Sequence, residues 1–428
     1  MTTPRHISLS KLTQKQALVA AARHEMLYAG RMGGARAVFA FCDLSGLDFS
    51  GRNLADADFT GAVLEETNLA GAKLDSASFF GADLRRANLA GASMRRADMR
   101  GVCLRGANLI GADLYEADMR EGSIAEKDRR GDLHILQHDI GPAETSSALM
   151  QSANLERAKL TGVVAIQADF TDAMMKNCKL TRANLRQAKM AGANLENADL
   201  SGCNMTGADL AGAILIGARM TMTITDGADL KGTLTDANAG LKLDQLSIPI
   251  EEILDSHTRW VKTDGREGQP ADLTGVDLRA LKSLAHFSLT ALIAPNAVFY
   301  GLDLQGVSLQ GSNLAGADLR AAKLGGADLR GVNLSKAKLA GADLRDTKLG
   351  PLLIADNRVL PARLDHAQAR YADFRGADLR RVEFRDADLS YANLTDADLN
   401  ETNFAGAITS GAKLPPLAAE NLAHSRAG

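Results

Sequence analysis

The chain of 428 residues carries 49 Lys and Arg against 52 Asp and Glu, a formal net charge of −3 that its two halves share about evenly. A balance this close to neutral gives no long-range field to gather nucleic acid or an anionic membrane, and lacks the dense acidity with which a protein imitates DNA. Aromatic residues make up only 4%, with Trp260 the single tryptophan, so the core must be built from small and medium side chains at regular spacing.

The N-terminal stretch MTTPRHISLSKLTQKQ has no apolar segment of the signal-peptide kind, and no run in the chain is long enough to span a bilayer, so a soluble cytoplasmic protein is expected. Residues 1–40 read as a helix and turn. Thr13 with Gln16 forms a capping-box pattern, Leu18, Val19, Ala22 and Met26 share a face, and Gly30 supplies a stop. Over 41–120 a large apolar residue returns every fifth position, as at Leu44, Phe49, Leu54, Phe59, Leu64 and Leu69. Taking that residue as i, position i−2 is mostly Ala, i−1 is mostly Asp or Asn, and i+2 is often Gly. A period of five fits neither a helix nor a strand. It fits a chain that turns a corner every five residues, with i and i−2 inward and an unusual backbone conformation at i+2.

Residues 121–149 interrupt the period, and DLHILQHDI within them has strand-like alternation, which predicts a protruding loop or hairpin. The period resumes over 150–235 and slips around 232–246. Over 236–272 a second helix is predicted, with Ser247 as N-cap, Ile250, Ile253, Leu254, Trp260 and Val261 on one face, and Gly265 at its end. The two helical segments match. His24 and His257 sit in the helices, and a G-R-x-G turn follows at Gly30–Gly33 and Gly265–Gly268. A duplicated unit is inferred, with modules of about 1–245 and 246–428. The histidines are read as satisfied by backbone, and Trp260 as a plug for the coil beneath it. The third block, 273–414, loses its consensus between Leu349 and Phe374, but Ile354, Val359, Leu364 and Ala369 keep the count, with Pro351 and Pro361 at corners. A tail, 415–428, ends the chain.

The motif A(D/N)LxG, sustained over most of the chain, resembles the pentapeptide-repeat family. That resemblance implies an all-β solenoid: a right-handed quadrilateral parallel β-helix with four repeats per coil, here in two modules each preceded by a capping α-helix. Residues 20 apart would then stack, placing Phe39, Phe59 and Phe79 in one interior column and Phe384 with Phe404 in another. Outside, Arg85 would stand over Glu65, Arg86 over Glu66 and Arg95 over Asp75, with Arg96 below Glu116, as ladders of opposite charge. Arg100 and Arg105 lack such partners. Arg52, at an i−2 position that wants a small residue, is a misfit. Of the four cysteines, Cys42, Cys178 and Cys203 fall at small inward positions, and Cys103 completes the set. None has metal or redox spacing, so buried reduced thiols are expected.

No phosphate-cradling loop, nucleophile elbow or paired Cys/His signature occurs, and the periodic Asp residues hold a scaffold position. The expectation is a non-catalytic protein–protein interaction scaffold without a cofactor, bound by another protein and not directly by nucleic acid. The alternative, implied by the gyrase-protecting branch of the family, is a DNA-mimicking modulator of DNA gyrase or topoisomerase. Candidate partner-binding residues are Arg100, Arg105 and Arg120 beside the insertion and Arg129, Arg130, Asp132, His134 and His138 within it. A metal set from Asp132, His134, His138 and Asp139 matches no strong spacing, and an ordinary polar loop is favoured. Homodimerisation through the C-terminal coils, as in the gyrase-protecting proteins, competes with a tail that covers the same end.

Overall fold

A computed structural model describes residues 9–122, 125–127, 133–135, 142–237, 240–281, 283–355 and 358–415. Each five-residue repeat makes one corner. In the repeat Leu54–Ala57 the Ala57 N–H donates to the Leu54 carbonyl at 3.1 Å, and Asp56 between them has φ 59°. That is a four-residue turn with a left-handed third residue, which glycine takes most cheaply. The acidic or amide residue at i−1 has a backbone task as well. Asp83 Oδ1, for example, accepts the Arg85 N–H at 3.1 Å, an Asx-type bond that holds the corner.

Successive coils are joined by backbone bonds. Leu84 N–H donates to Cys103 O at 2.7 Å, and Asp83 N–H to Ala62 O at 2.9 Å. Parallel bridges join Asp83 to Cys103, Asn88 to Asn108, Ser93 to Asp113 and Asp98 to Asp118, four faces that repeat every 20 residues. The inward residues Leu84, Ala87, Leu89 and Met94 are fully buried. Phe59 stacks on Phe39 and Phe79 at 5.2 and 4.8 Å, and Phe384 on Phe404 at 5.5 Å, as the 20-residue step demands.

The chain divides into two compact units, 1–238 and 239–428. The division precedes the expected boundary at 245 because a strand beyond 240 pairs within the second unit. In the first unit β1 (Ser10–Lys11) leads into helix α1 (Gln14–Tyr28) and pairs in parallel with β2 (Cys42–Asp43). Two short strands, β3 (Ala125–Lys127) and β4 (Leu133–Ile135), pair antiparallel in the insertion. In the second unit β5 (Leu241–Lys242) leads into α2 (Ile250–Lys262) and pairs in parallel with β6 (Val276–Asp277). Finally β7 (Leu352–Ala355) and β8 (Arg358–Leu360) form an antiparallel pair.

Four local expectations are corrected. The interruption after residue 120 closes earlier than 149: Glu144 bridges to Cys103 and Leu149 to Asn108, and Ala143, Thr145 and Ala148 are already buried coil residues. Residues 350–360 are not degenerate coils. The ladder steps from Asn333 directly to Arg363, and β7–β8 stands out with Ile354 and Val359 47% and 42% exposed. Because this excess is two repeat lengths, the count survives across it. Helix α2 starts at Ile250 with Pro249 as its N-cap, and not after a Ser247 cap. Trp260 is no plug; it is only partly buried and lies beside His257 with ring centroids 5.8 Å apart.

The helices bury the i, i+4, i+7 sets Ala17, Ala21, His24 and Ile250, Leu254, His257, while Val19 and Ala22 of the expected α1 face are exposed. Small residues let α1 approach the coil closely, and its polar side chains then reach the coil backbone. Gln14 exchanges two bonds of 2.8 Å with the Asp48 backbone. Glu25 accepts the Asn53 N–H at 3.2 Å and pairs with Arg52 at 3.1 Å, which accounts for the Arg52 misfit. Tyr28 donates to Ala55 O at 2.9 Å. His24 Nδ1 accepts the Ala37 N–H at 3.0 Å, so the proton is on Nε2, which donates to Ala55 O at 2.8 Å. Helix α2 repeats one of these bonds, Ala271 N–H to His257 Nδ1 at 2.9 Å, and its Nε2 has no hydrogen-bond partner among the described residues.

Two predictions follow from packing and titration. Gly326 and Gly331 both have left-handed backbone, but a Cβ at Gly326 meets nothing, whereas at Gly331 it would lie 2.9 Å from Leu352 Cβ and 3.1 Å from Leu360 Cδ2. Gly326→Ala should cost about 1 kcal/mol for the conformation alone; Gly331→Ala should cost more and sensitise 350–360 to protease, and equal urea midpoints would refute that seating. Burial holds His24 and His257 below their ordinary pKa of 6.5. The folded rings stay neutral while the unfolded chain takes up protons, so stability present above pH 6.5 is lost as pH falls toward the lowered folded values. The urea midpoint should drop between pH 7 and about 5.5 and should drop less in a His24→Gln/His257→Gln variant; parallel curves would refute it.

Candidate interaction site

Positions i−1 and i+1 leave the coil on the same side, two residues apart, so an Asp and an Arg placed there meet within one repeat. Arg85, Arg100 and Arg120 each clasp their own Asp83, Asp98 and Asp118 through Nε and Nη2, the Nη2 contacts at 2.6 to 2.7 Å. Arg320, Arg330, Arg345, Arg375 and Arg380 do the same with Asp318, Asp328, Asp343, Asp373 and Asp378. This fork needs little side-chain ordering beyond what the corner already imposes. It therefore takes precedence over the cross-coil ladder: Arg85 is 2.6 Å from Asp83 and 3.8 Å from Glu65. Cross-coil pairs persist where no i−1 acid is available, as in Arg86 with Glu66 at 3.0 Å, Lys176 with Glu196 at 2.8 Å and Arg381 with Glu401 at 2.6 Å. Arg95 turns to Asp113 at 2.8 Å while its N–H donates to Asp75.

The insertion leaves the coil beside this surface. Phe80, Arg100 and Arg120 form one outward column, and the Arg100 guanidinium lies 4.9 Å over the Phe80 ring. Gly122 comes down on both. A Cβ there would be 2.8 Å from Phe80 Cε2 and 3.0 Å from Arg100 Cβ, and one at Gly101 would be 2.9 Å from Gly122 O. Glycine at both positions fixes the exit of the loop. At its return Glu144 meets Arg105 at 3.6 Å. The three described arginines named as candidates, Arg100, Arg105 and Arg120, are thus all paired. His134 lies in β4, in register with Glu126; Arg129, Arg130, Asp132 and His138 lie outside the described residues.

A cavity of about 520 Å³ opens next to this root, lined by Arg96, Arg100, Glu116, Asp118, Arg157 and Lys159. Burial pushes the Asp118 carboxyl up, but the hydrogen bonds and charge of Arg120, with Lys159 at 3.7 Å, outweigh it and hold the group below its usual value. Arg157 and Lys159 were not foreseen because they reach Glu116 and Asp118 only when the ladder is carried across the insertion, from Asp118 to Lys159. A second cavity of about 550 Å³ is lined by Gly61, Gly81, Gly101, Cys103, Arg105 and Glu144. Burial raises the pKa of the Cys103 thiol, which keeps it protonated and poorly nucleophilic. All four cysteines are free thiols; Cys178 and Cys203 are buried, whereas Cys42 and Cys103 are only partly so. Among the described residues no group of three His, Cys, Asp or Glu is placed to hold a metal ion, and no helix is long and apolar enough to cross a membrane.

The pentapeptide-repeat family model matches this chain in eight copies, over residues 42–81, 77–114, 148–187, 188–232, 312–350, 362–396 and 383–414. The chain belongs to the pentapeptide-repeat family, and its fold is a right-handed β-helix solenoid. Among solved structures it is similar to Rfr23, a pentapeptide-repeat protein from the cyanobacterium Cyanothece 51142, at 29% identity over 31% of this chain and 89% of that one, with a TM-score of 0.27. It is similar to QnrB1, a plasmid-mediated fluoroquinolone resistance protein, at 20% identity over 47% of this chain and 88% of that one, with a TM-score of 0.27. HetL, a pentapeptide-repeat protein involved in heterocyst differentiation regulation from the cyanobacterium Nostoc, matches at 20% identity over 92% and 95% of the two chains, with a TM-score of 0.13. No curated protein matches the chain.

Removing the carboxylate at the centre of the root tests the electrostatic account. Asp118→Asn leaves Arg120 and Lys159 without their shared acid and should cost about 0.5–1 kcal/mol, an effect that shrinks in high salt. Arg96→Ala, which breaks no ion pair among the described residues, should leave the urea midpoint unchanged. Equal losses for the two variants would refute the assignment.

Proposed function

We propose that this pentapeptide-repeat chain is a non-catalytic scaffold that binds another protein through segments hung from a rigid solenoid. The observation that carries this reading is the treatment of its two long interruptions. The backbone ladder closes past each of them, from Cys103 to Glu144 and from Asn333 to Arg363, and each contains an antiparallel strand pair that the coil does not need. Segments free of a packing task on a rigid frame are where binding residues belong. In the same reading α1 and α2 cover the N-terminal ends of two β-helix modules and block edge-to-edge pairing, and the protein works in the cytoplasm.

The carboxylates bear on the alternative, a DNA-mimicking modulator of gyrase. Mimicry needs an uncompensated negative face, and the outward Asp residues in the arginine forks are each neutralised two residues on. Affinity capture from the native cell should recover partners with the full chain and lose them when 123–141 or 351–360 is replaced by a short Gly-Ser linker. Partner recovery unaffected by both replacements refutes the reading. A change in gyrase supercoiling on adding the protein would favour the alternative.

A further inference from the structure

We propose that the β7–β8 hairpin is a docking surface for an extended apolar segment of a partner protein flanked by acidic residues. The proposal rests on the scaffold reading and names the chemistry of one of its partners. The hairpin has two unlike faces. Leu352 and Leu360 are in register and face the coil, where Gly311 and Gly331 leave room for them: a Cβ at Gly311 would be 3.6 Å from Leu352 Cδ2. That seat holds the strand pair in one pose. Leu353 and Val359, also in register, are exposed by 68% and 42%, and Ile354, in the bulge beside them, by 47%. The other exposed aliphatic residues on the coils of this unit, Ile293 and Ile408, stand apart from each other, on different coils. Three contiguous aliphatic side chains on a two-stranded element with open edges form the kind of surface to which a strand adds.

Charge chooses the partner. Arg358 lies on β8 opposite Ala355, and Lys348 lies just before the hairpin; both are exposed, and neither pairs with a carboxylate among the described residues. Arg363, just beyond the hairpin, is 3.1 Å from Asp365. Nine described arginines fork to the aspartate two residues before them; Lys348 and Arg358, which pair with no carboxylate among the described residues and stand at the two ends of the apolar strip, fit carboxylates at both ends of the incoming segment.

The test uses the full chain and a fluorescein-labelled peptide of about six alternating Val and Leu residues between paired glutamates, with a lysine-flanked counterpart, read by fluorescence anisotropy. The acidic peptide should bind, and the basic one should not. Leu353→Ser/Val359→Ser and, separately, Arg358→Glu should each weaken binding about tenfold or more, with urea midpoints showing that both variants fold. Three results would overturn the proposal: no anisotropy change at about 1 mM protein, equal binding of the basic peptide, or undiminished binding by the double variant. Sedimentation of the wild type as a dimer that the double variant abolishes would also overturn it, assigning the surface to a second copy. If the peptide fails while replacement of 351–360 still removes captured partners, the partner chemistry falls and the scaffold reading stands.

Discussion

Everything in this protein depends on the backbone bond between one coil and the next. A coil wall is one strand thick, so its N–H and carbonyl groups, which point along the stack, must find partners on the coils that lie about 4.8 Å above and below. A buried group left unpaired costs about 1–3 kcal/mol. The bond from Leu84 to Cys103 forms only if both residues sit at the same place in their turns, so coil length is fixed. From that constraint come the small residue at i−2, the large one at i, the left-handed corner at i+2 and the Asx bond at i−1. Extra residues are tolerated only where the chain can leave a corner and return to it.

The same geometry organises the surface charge. Because i−1 and i+1 are splayed to one side by the corner, an aspartate and an arginine there are neighbours before either side chain chooses a rotamer. The fork uses the carboxylate twice, once for the backbone N–H and once for the guanidinium, as Asp98 does for Arg100. At the forked corners charge is neutralised locally, within one repeat. Cations without a fork, such as Arg96, Lys348 and Arg358, become informative for that reason.

The period and the interior columns of phenylalanine were legible in the sequence because both follow from the repeating coil, and the backbone-bound His24 because a histidine on a helix face packed against a coil meets main-chain groups. What stayed hidden has identifiable causes. The β7–β8 hairpin is two repeats long, so Ile354 and Val359 kept an inward count while standing in solvent; the loss of the Ala and Asp/Asn signature and the prolines at 351 and 361 were the available signal. The return of the first insertion at Ala143 was masked by Glu144 and Thr145, which replace the usual Asn and Leu. Arginine pairing was misread because vertical stacking is visible in a 20-residue alignment, whereas the competing fork within a repeat depends on the outward splay of a corner. Arg157 could not be joined to Glu116, nor Lys159 to Asp118, without knowing where the coil resumes.

The two helices show how one constraint admits two solutions. Both meet the coil below them through a histidine Nδ1 that accepts a backbone N–H, from Ala37 and from Ala271. Beyond that they diverge. Counting from the histidine, Gln14, Glu25 and Tyr28 of α1 are replaced in α2 by Ser247, Thr258 and Val261, which carry no side-chain bond to the coil among the described residues; Thr258 bonds back to Leu254 O within the helix. In exchange, the inward Ala17 and Ala21 of α1 become Ile250 and Leu254, each worth about 1.5–3 kcal/mol when fully buried. Helix α1 meets its coil largely through directional bonds, whereas α2 meets its coil largely through apolar contact. The unpartnered His257 Nε2 goes with that difference: both imidazoles accept a backbone N–H at Nδ1, but only His24 has a carbonyl, that of Ala55, for its second nitrogen among the described residues.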